Sequence, residues 1–69
     1  MAYNVLIVDD SKIVRTVVAR TLKIAGVDVG LLLEAANGKE ALALLEANWI
    51  DIVFADINMP EMNLSLIHI

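Results

Sequence analysis

The chain has 69 residues, enough for one domain at most, and 59% of them are apolar, above the roughly 45–50% of ordinary globular chains. So small a body hides only about 60% of the surface its unfolded chain exposes, so the excess points to a piece of a larger domain. A net charge of −4 and the absence of cysteine exclude an electrostatic nucleic-acid footprint, disulfides, thiolate metal sites and thiol catalysis.

The first element is the apolar run Asn4-Val5-Leu6-Ile7-Val8, which stops at Asp9-Asp10. Short, uninterrupted runs of this kind suit strands buried on both faces of a parallel sheet. After Asp10 the period changes to that of a helix. Ile13, Val14, Val17, Val18, Thr21, Leu22, Ile24 and Ala25 fall on one side. Lys12, Arg15, Thr16, Ala19, Arg20 and Lys23 fall on the other. The pattern predicts an amphipathic helix with an apolar half roughly 180° wide, N-capped by Ser11 or Asp10 and ended by Gly26. Leu31–Glu34 is predicted as a short second strand, with Asp28-Val29-Gly30 as an irregular lead-in. Asn37-Gly38-Lys39-Glu40 opens a second helix with a variant of the capping box, Asn in place of Ser or Thr. Ala41, Leu42, Leu44 and Leu45 supply its buried side. A third strand, Ile52-Val53-Phe54-Ala55, ends at Asp56, with Pro60 in the loop beyond.

The predicted order is strand, helix, strand, helix, strand, which right-handed crossovers turn into two βαβ units. The two most continuously apolar strands belong side by side and the mixed Leu31 strand at the edge, giving strand order 2-1-3. The chain reverses direction between strands one and three, and ligands in open parallel sheets sit beyond the strand ends at such a switch point. There Asp9, Asp10 and Asp56 would converge. Like charges raise one another's pKa; a divalent cation removes that cost, and hard oxygen ligands point to Mg2+. A cluster of acids around Mg2+ is a place to receive a phosphoryl group.

Three segments then stand together: Val5-Leu6-Ile7-Val8-Asp9-Asp10-Ser11, Glu34-Ala35-Ala36-Asn37-Gly38-Lys39-Glu40-Ala41-Leu42, and Asp51-Ile52-Val53-Phe54-Ala55-Asp56-Ile57-Asn58-Met59-Pro60. In this order and spacing they resemble a response-regulator receiver domain, of flavodoxin-like α/β class, over about residues 3–63. The resemblance implies a two-component phosphorelay. The phosphohistidine of a sensor histidine kinase or phosphotransfer protein would donate its phosphoryl group to Asp56. Asp10 would bind Mg2+ directly, Asp9 through water, and Asn58 through its backbone carbonyl. The family also places a Ser or Thr after its fourth strand and a Lys after its fifth, and the residues here stop before either. Lys12 lies on the first helix and does not match that lysine.

Leu64 stands where the family pattern has a glycine, a residue free to take positive φ. Leu64–Ile69 has no receiver-like continuation and looks like translated sequencing-adaptor DNA. Residues 64–69 are therefore expected to be non-native, residues 1–63 to be a truncated receiver, and His68 to have no role.

Plainer readings stand beside these. Adjacent acids often only cap a helix and complement its dipole; the matching Asp56 favours the functional reading. Asp51 and Asp28 read as solvated boundary residues, Trp49 and Phe54 as packing residues, and the basic side of the first helix as a solvated face. One competing function is a fragment of a Mg2+-dependent phosphohydrolase, a class that usually spaces its first two acids one residue apart. Another is a degenerate receiver that only binds proteins, whose usual mark is a lost acid. The start lacks a basic n-region and no apolar run reaches transmembrane length. The expectation is a non-enzymatic cytoplasmic phosphoprotein, without direct nucleic-acid or membrane contact.

Overall fold

The computed structural model describes residues 2–55. Asp56, Asn58 and the boundary expected at residue 63 lie outside them. The elements are β1 (Tyr3–Val8), α1 (Lys12–Ile24), β2 (Val29–Ala35), α2 (Gly38–Ala47) and β3 (Ile52–Ala55). The three strands form one sheet of order β2-β1-β3, parallel throughout. The order follows from apolar content. β1 is buried from Val5 to Val8, so it takes the centre, and β2, which is exposed at Gly30, Leu31, Leu32 and Glu34, takes the edge.

Alternation along β1 divides the core in two. Val5 and Ile7 pack with Leu22 of α1 on one face, joined by Val18, Ala19, Val27, Val29 and Ile52. Leu6 and Val8 pack with Ala35, Ala41 of α2 and Ile50 on the other, with Leu33, Leu44, Leu45, Val53 and Ala55 around them. The result is a three-layer α/β/α arrangement of the flavodoxin-like kind.

Both helices end as their sequences direct. The Ser11 hydroxyl caps α1 by accepting the Val14 N–H at 3.3 Å, which decides between Ser11 and Asp10 as the cap. Past Ala25, Gly26 takes φ +81°, the left-handed conformation that glycine adopts without a Cβ clash. The Gly26 N–H reaches the Lys23 carbonyl at 3.2 Å and the Val27 N–H the Leu22 carbonyl at 3.1 Å, a Schellman ending with Val27 and Leu22 in the same core cluster. Asn37 caps α2, its Oδ1 accepting the Glu40 N–H at 2.8 Å. The Glu40 carboxylate reaches back to the N–H of Ala36 at 2.8 Å, one residue short of the usual capping-box partner.

Several expectations are corrected. β2 begins at Val29 rather than Leu31: Tyr3 pairs with Val29 and Asn4 with Leu31, with the register shifting between them. Gly30 is the extra residue at that shift, and a Cβ there would lie 2.9 Å from the Ala2 Cβ. The face that α1 buries is narrower than its apolar half. Leu22 is buried, and Arg15, Val18 and Ala19 are half-buried, whereas Ile13 and Ile24 are 77% and 86% exposed. A helix lying on a sheet covers only the stripe i, i+3, i+4, i+7 that touches the strands, here Arg15, Val18, Ala19 and Leu22. Trp49 is not a packing residue but 81% exposed. Asp51 is exposed yet does more than bound a strand. Its carboxylate accepts the Asn4 N–H at 2.8 Å and the Trp49 Nε1–H at 3.1 Å, and the Asn4 side chain donates to the Trp49 carbonyl at 2.8 Å. These bonds fasten β1 to the entry of β3 at the end of the sheet remote from Asp9.

Candidate functional site

The acid-bearing end is built by register. Val8 lies opposite Ala35 of β2 and Ala55 of β3, so all three strands finish level. Beyond Val8 the ladder runs one bond further, with the Asp9 N–H donating to the Ala35 carbonyl at 3.0 Å. Asp9 is 8% exposed, the one charged residue buried among the described residues. Strand alternation places it with Val5 and Ile7, and with Ile7, Val8, Val14, Val18, Phe54 and Ala55 it lines an open cleft of about 240 Å³.

A buried carboxylate needs partners, and Asp9 has them. Its Oδ1 accepts the Ser11 N–H at 2.8 Å. This is an Asx-turn contact that also shapes the entry to α1. Its backbone carbonyl accepts from Nη1 of Arg15, whose Nε donates to Oε1 of Glu34 at 3.0 Å. Asp10, next in the chain, is exposed, and its carboxylate makes no hydrogen bond or ion pair among the described residues. Two adjacent carboxylates therefore meet at one strand end, one anchored and one unmatched. Arg15 makes no ion pair with either carboxylate: its Nη1 goes to the carbonyl of Asp9 and its Nε to Glu34.

That donor set suits a hard divalent cation such as Mg2+, which takes carboxylate oxygen and keeps several waters. Among the described residues no group of three or more His, Cys, Asp or Glu side chains is gathered to hold a metal. Asp9 and Asp10 are the two expected ligands that fall within them; Asp56 and Asn58 do not. Lys12 is exposed in the first turn of α1. Reading the sequence missed Arg15, which it assigned to the solvated face. The signal was there: once α1 is laid on the sheet, Arg15 continues the stripe of Val18, Ala19 and Leu22 toward the acidic end.

An α/β module with β2-β1-β3 parallel order has the flavodoxin-like fold, and its acid pair lies beyond the carboxyl end of the central strand, where ligands bind in such sheets. Comparison with known proteins narrows this. The family model "Response regulator receiver domain" matches residues 5–64, and the chain belongs to that family, whose members serve two-component systems. The chain is 48% identical over 61 residues to "Protein-glutamate methylesterase/protein-glutamine glutaminase 1" of Paramagnetospirillum magneticum, covering 87% of this chain and 16% of that protein. It is 36% identical over 60 residues to "Nitrate/nitrite response regulator protein NarL" of Escherichia coli, covering 87% of this chain and 27% of that one. The chemotaxis response regulator CheY4 of Vibrio cholerae superposes with a TM-score of 0.73 at 40% identity, over 90% of this chain and 49% of that structure.

The chain thus spans about half the length of that solved relative and a smaller share of the curated ones. What matches is the receiver segment, a signalling module; the methylesterase activity is named for the longer protein. The match replaces the phosphohydrolase reading. No described helix is long and apolar enough to cross a membrane.

Proposed function

We propose that the chain is the phosphoacceptor part of a two-component receiver and that Asp56 takes the phosphoryl group from the phosphohistidine of a sensor histidine kinase or phosphotransfer protein in the cytoplasm. The observation that carries the proposal is the level ending of β1 and β3. Val8 faces Ala55 across a parallel ladder, Asp9 and Asp10 follow Val8, and Asp56 is bonded to Ala55.

The ionised carboxylate of Asp56 is the nucleophile. One of its oxygens forms a bond to phosphorus as the P–N bond of the phosphohistidine breaks. The electron pair returns to the imidazole, which takes up a proton from water, and Asp56 is left as an acyl phosphate. Bound Mg2+, held by Asp9, Asp10, Asp56 and the Asn58 carbonyl, would offset the repulsion between the carboxylate and the incoming phosphate. Asp9 serves from a fixed position because its backbone N–H, carbonyl and Oδ1 are each hydrogen-bonded. Asp10, exposed and without a described partner, can approach the cation directly.

Incubating the chain with phosphoramidate in the presence and absence of Mg2+, and watching for an acyl phosphate by phosphorus NMR, tests the reading. A signal that needs Mg2+ and disappears with hydroxylamine is the expected result. A Mg2+-independent signal would overturn the part given to the metal, and none at any concentration of donor would leave a receiver that acts only by binding proteins.

A further inference from the structure

We infer that Arg15 is a positioning residue for the acidic end, holding the peptide between Asp9 and Asp10 so that both carboxylates face one divalent cation. The inference rests on the metal-binding reading above.

The Arg15 side chain is 14% exposed and shares an inward stripe with Val18, Ala19 and Leu22, all packed in one core cluster. A guanidinium is costly in such a place unless its donors are matched. Two are: Nη1 donates to the Asp9 carbonyl and Nε to Oε1 of Glu34 at 3.0 Å. The guanidinium is planar and rigid, so two bonds from one fork fix its orientation, which a lysine ammonium cannot do. The carbonyl it holds belongs to the peptide joining Asp9 to Asp10. That peptide is planar, so fixing its oxygen fixes the direction in which the chain enters Asp10. The other ties on Asp9, from its N–H to Ala35 and from its carboxylate to Ser11, hold its strand backbone and its side chain. Among the described residues Arg15 alone grips the Asp10 side of that plane. Glu34 immediately precedes Ala35 on β2, so the network braces the β1–α1 loop from the neighbouring strand.

Positioning and simple charge predict opposite signs. As a nearby positive charge, Arg15 would repel a cation, and its removal would tighten Mg2+ binding. As a positioning residue, its removal loosens binding. Titrating the 69-residue chain with Mg2+ and following the amide signals of Asp10 and Ser11 by NMR separates the two. Arg15→Lys keeps the charge and loses the fork; Arg15→Ala loses both. Each is expected to weaken Mg2+ binding about tenfold, as loss of an outer-shell partner does. Glu34→Ala leaves Arg15 in place, alters a side chain that is 42% exposed, and is expected to weaken binding in the same direction by less. Unchanged or tighter binding in Arg15→Lys and Glu34→Ala, with the wild-type chain saturating normally, would overturn the inference alone. A wild-type chain with no saturable response would overturn the metal-binding reading, and this inference with it.

Discussion

Leu6 tests the central position of β1. It is 0% exposed, faces Leu33 on β2 and Val53 on β3, and packs with Val8, Ala35, Ala41 and Ile50 under α2. Leu6→Ala removes three buried carbon groups. At about 0.8 kcal/mol each, transfer alone accounts for about 2.4 kcal/mol. The cavity left between α2 and the sheet raises this to about 3–4 kcal/mol. A chain of 69 residues has a total stability on the order of 3–10 kcal/mol, so the substitution removes a large part of it. Ile13, 77% exposed on α1, is the control, and Ile13→Ala is expected to change stability by less than about 0.5 kcal/mol. Urea titrations of both variants at one fixed protein concentration, followed by far-ultraviolet circular dichroism, read the difference. Trp49 fluorescence would be a poor probe because that residue is already 81% exposed. Leu6→Ala should lower the midpoint by about 3–4 M where the urea slope is near 1 kcal/mol per M. A loss under about 1 kcal/mol, or an equal loss from Ile13→Ala, would refute a core centred on β1.

Asn37→Ala deletes the cap on α2 and should cost about 1 kcal/mol, with Asn37→Gly costing only a few tenths; no measurable loss in Asn37→Ala would show that the side-chain bond contributes little. A polypeptide of residues 1–69 should accept phosphoryl groups on the order of 10²–10³-fold more slowly than one extended through the family's later Thr or Ser and Lys, since one lost electrostatic stabiliser commonly costs that much; equal rates would contradict this. The same polypeptide should self-associate. Among the described residues β3 pairs only with β1, leaving a backbone edge beside Phe54, which is 38% exposed, and such edges template further pairing. Light scattering should show mass rising with concentration and falling in Phe54→Lys; a wild-type chain that stays monomeric at every concentration would be contrary to it.

Much of the fold was legible because one pattern decides it. An unbroken apolar strand must be covered on both faces, so β1 had to be central and β2, with Glu34 among its leucines, had to be the edge. Gly26 and Asn37 announced their helix ends because the conformations needed there suit few other residues. Less legible was anything set by contact between elements. Periodicity shows which residues of α1 share a side, but not how much of that side two neighbouring strands can cover. Ile13 and Val17 were therefore expected inside, and Arg15 and Ala19 outside. Gly30 as the extra residue of a register shift depends on where Tyr3 pairs, which β2 by itself does not encode. At the site, Asp9 and Asp10 stood out as an acid pair after a strand. Their different environments did not, because the burial of Asp9 comes from its place on the Val5–Ile7 side of the sheet and its bonds come from Ser11 and Arg15. The Asn4–Trp49–Asp51 clasp joins residues more than forty positions apart and leaves no local signature.

Asp56 carries the proposed chemistry, and locating the phosphoryl adduct tests it most directly. The chain is exposed to a phosphorylated histidine kinase with Mg2+, the acyl phosphate is reduced with borohydride, and the modified residue is read by mass spectrometry. Homoserine at position 56, absent when Mg2+ is chelated and absent in Asp56→Asn, is the predicted result. Label retained undiminished in Asp56→Asn, or homoserine at Asp9 or Asp10 instead, would contradict the assignment.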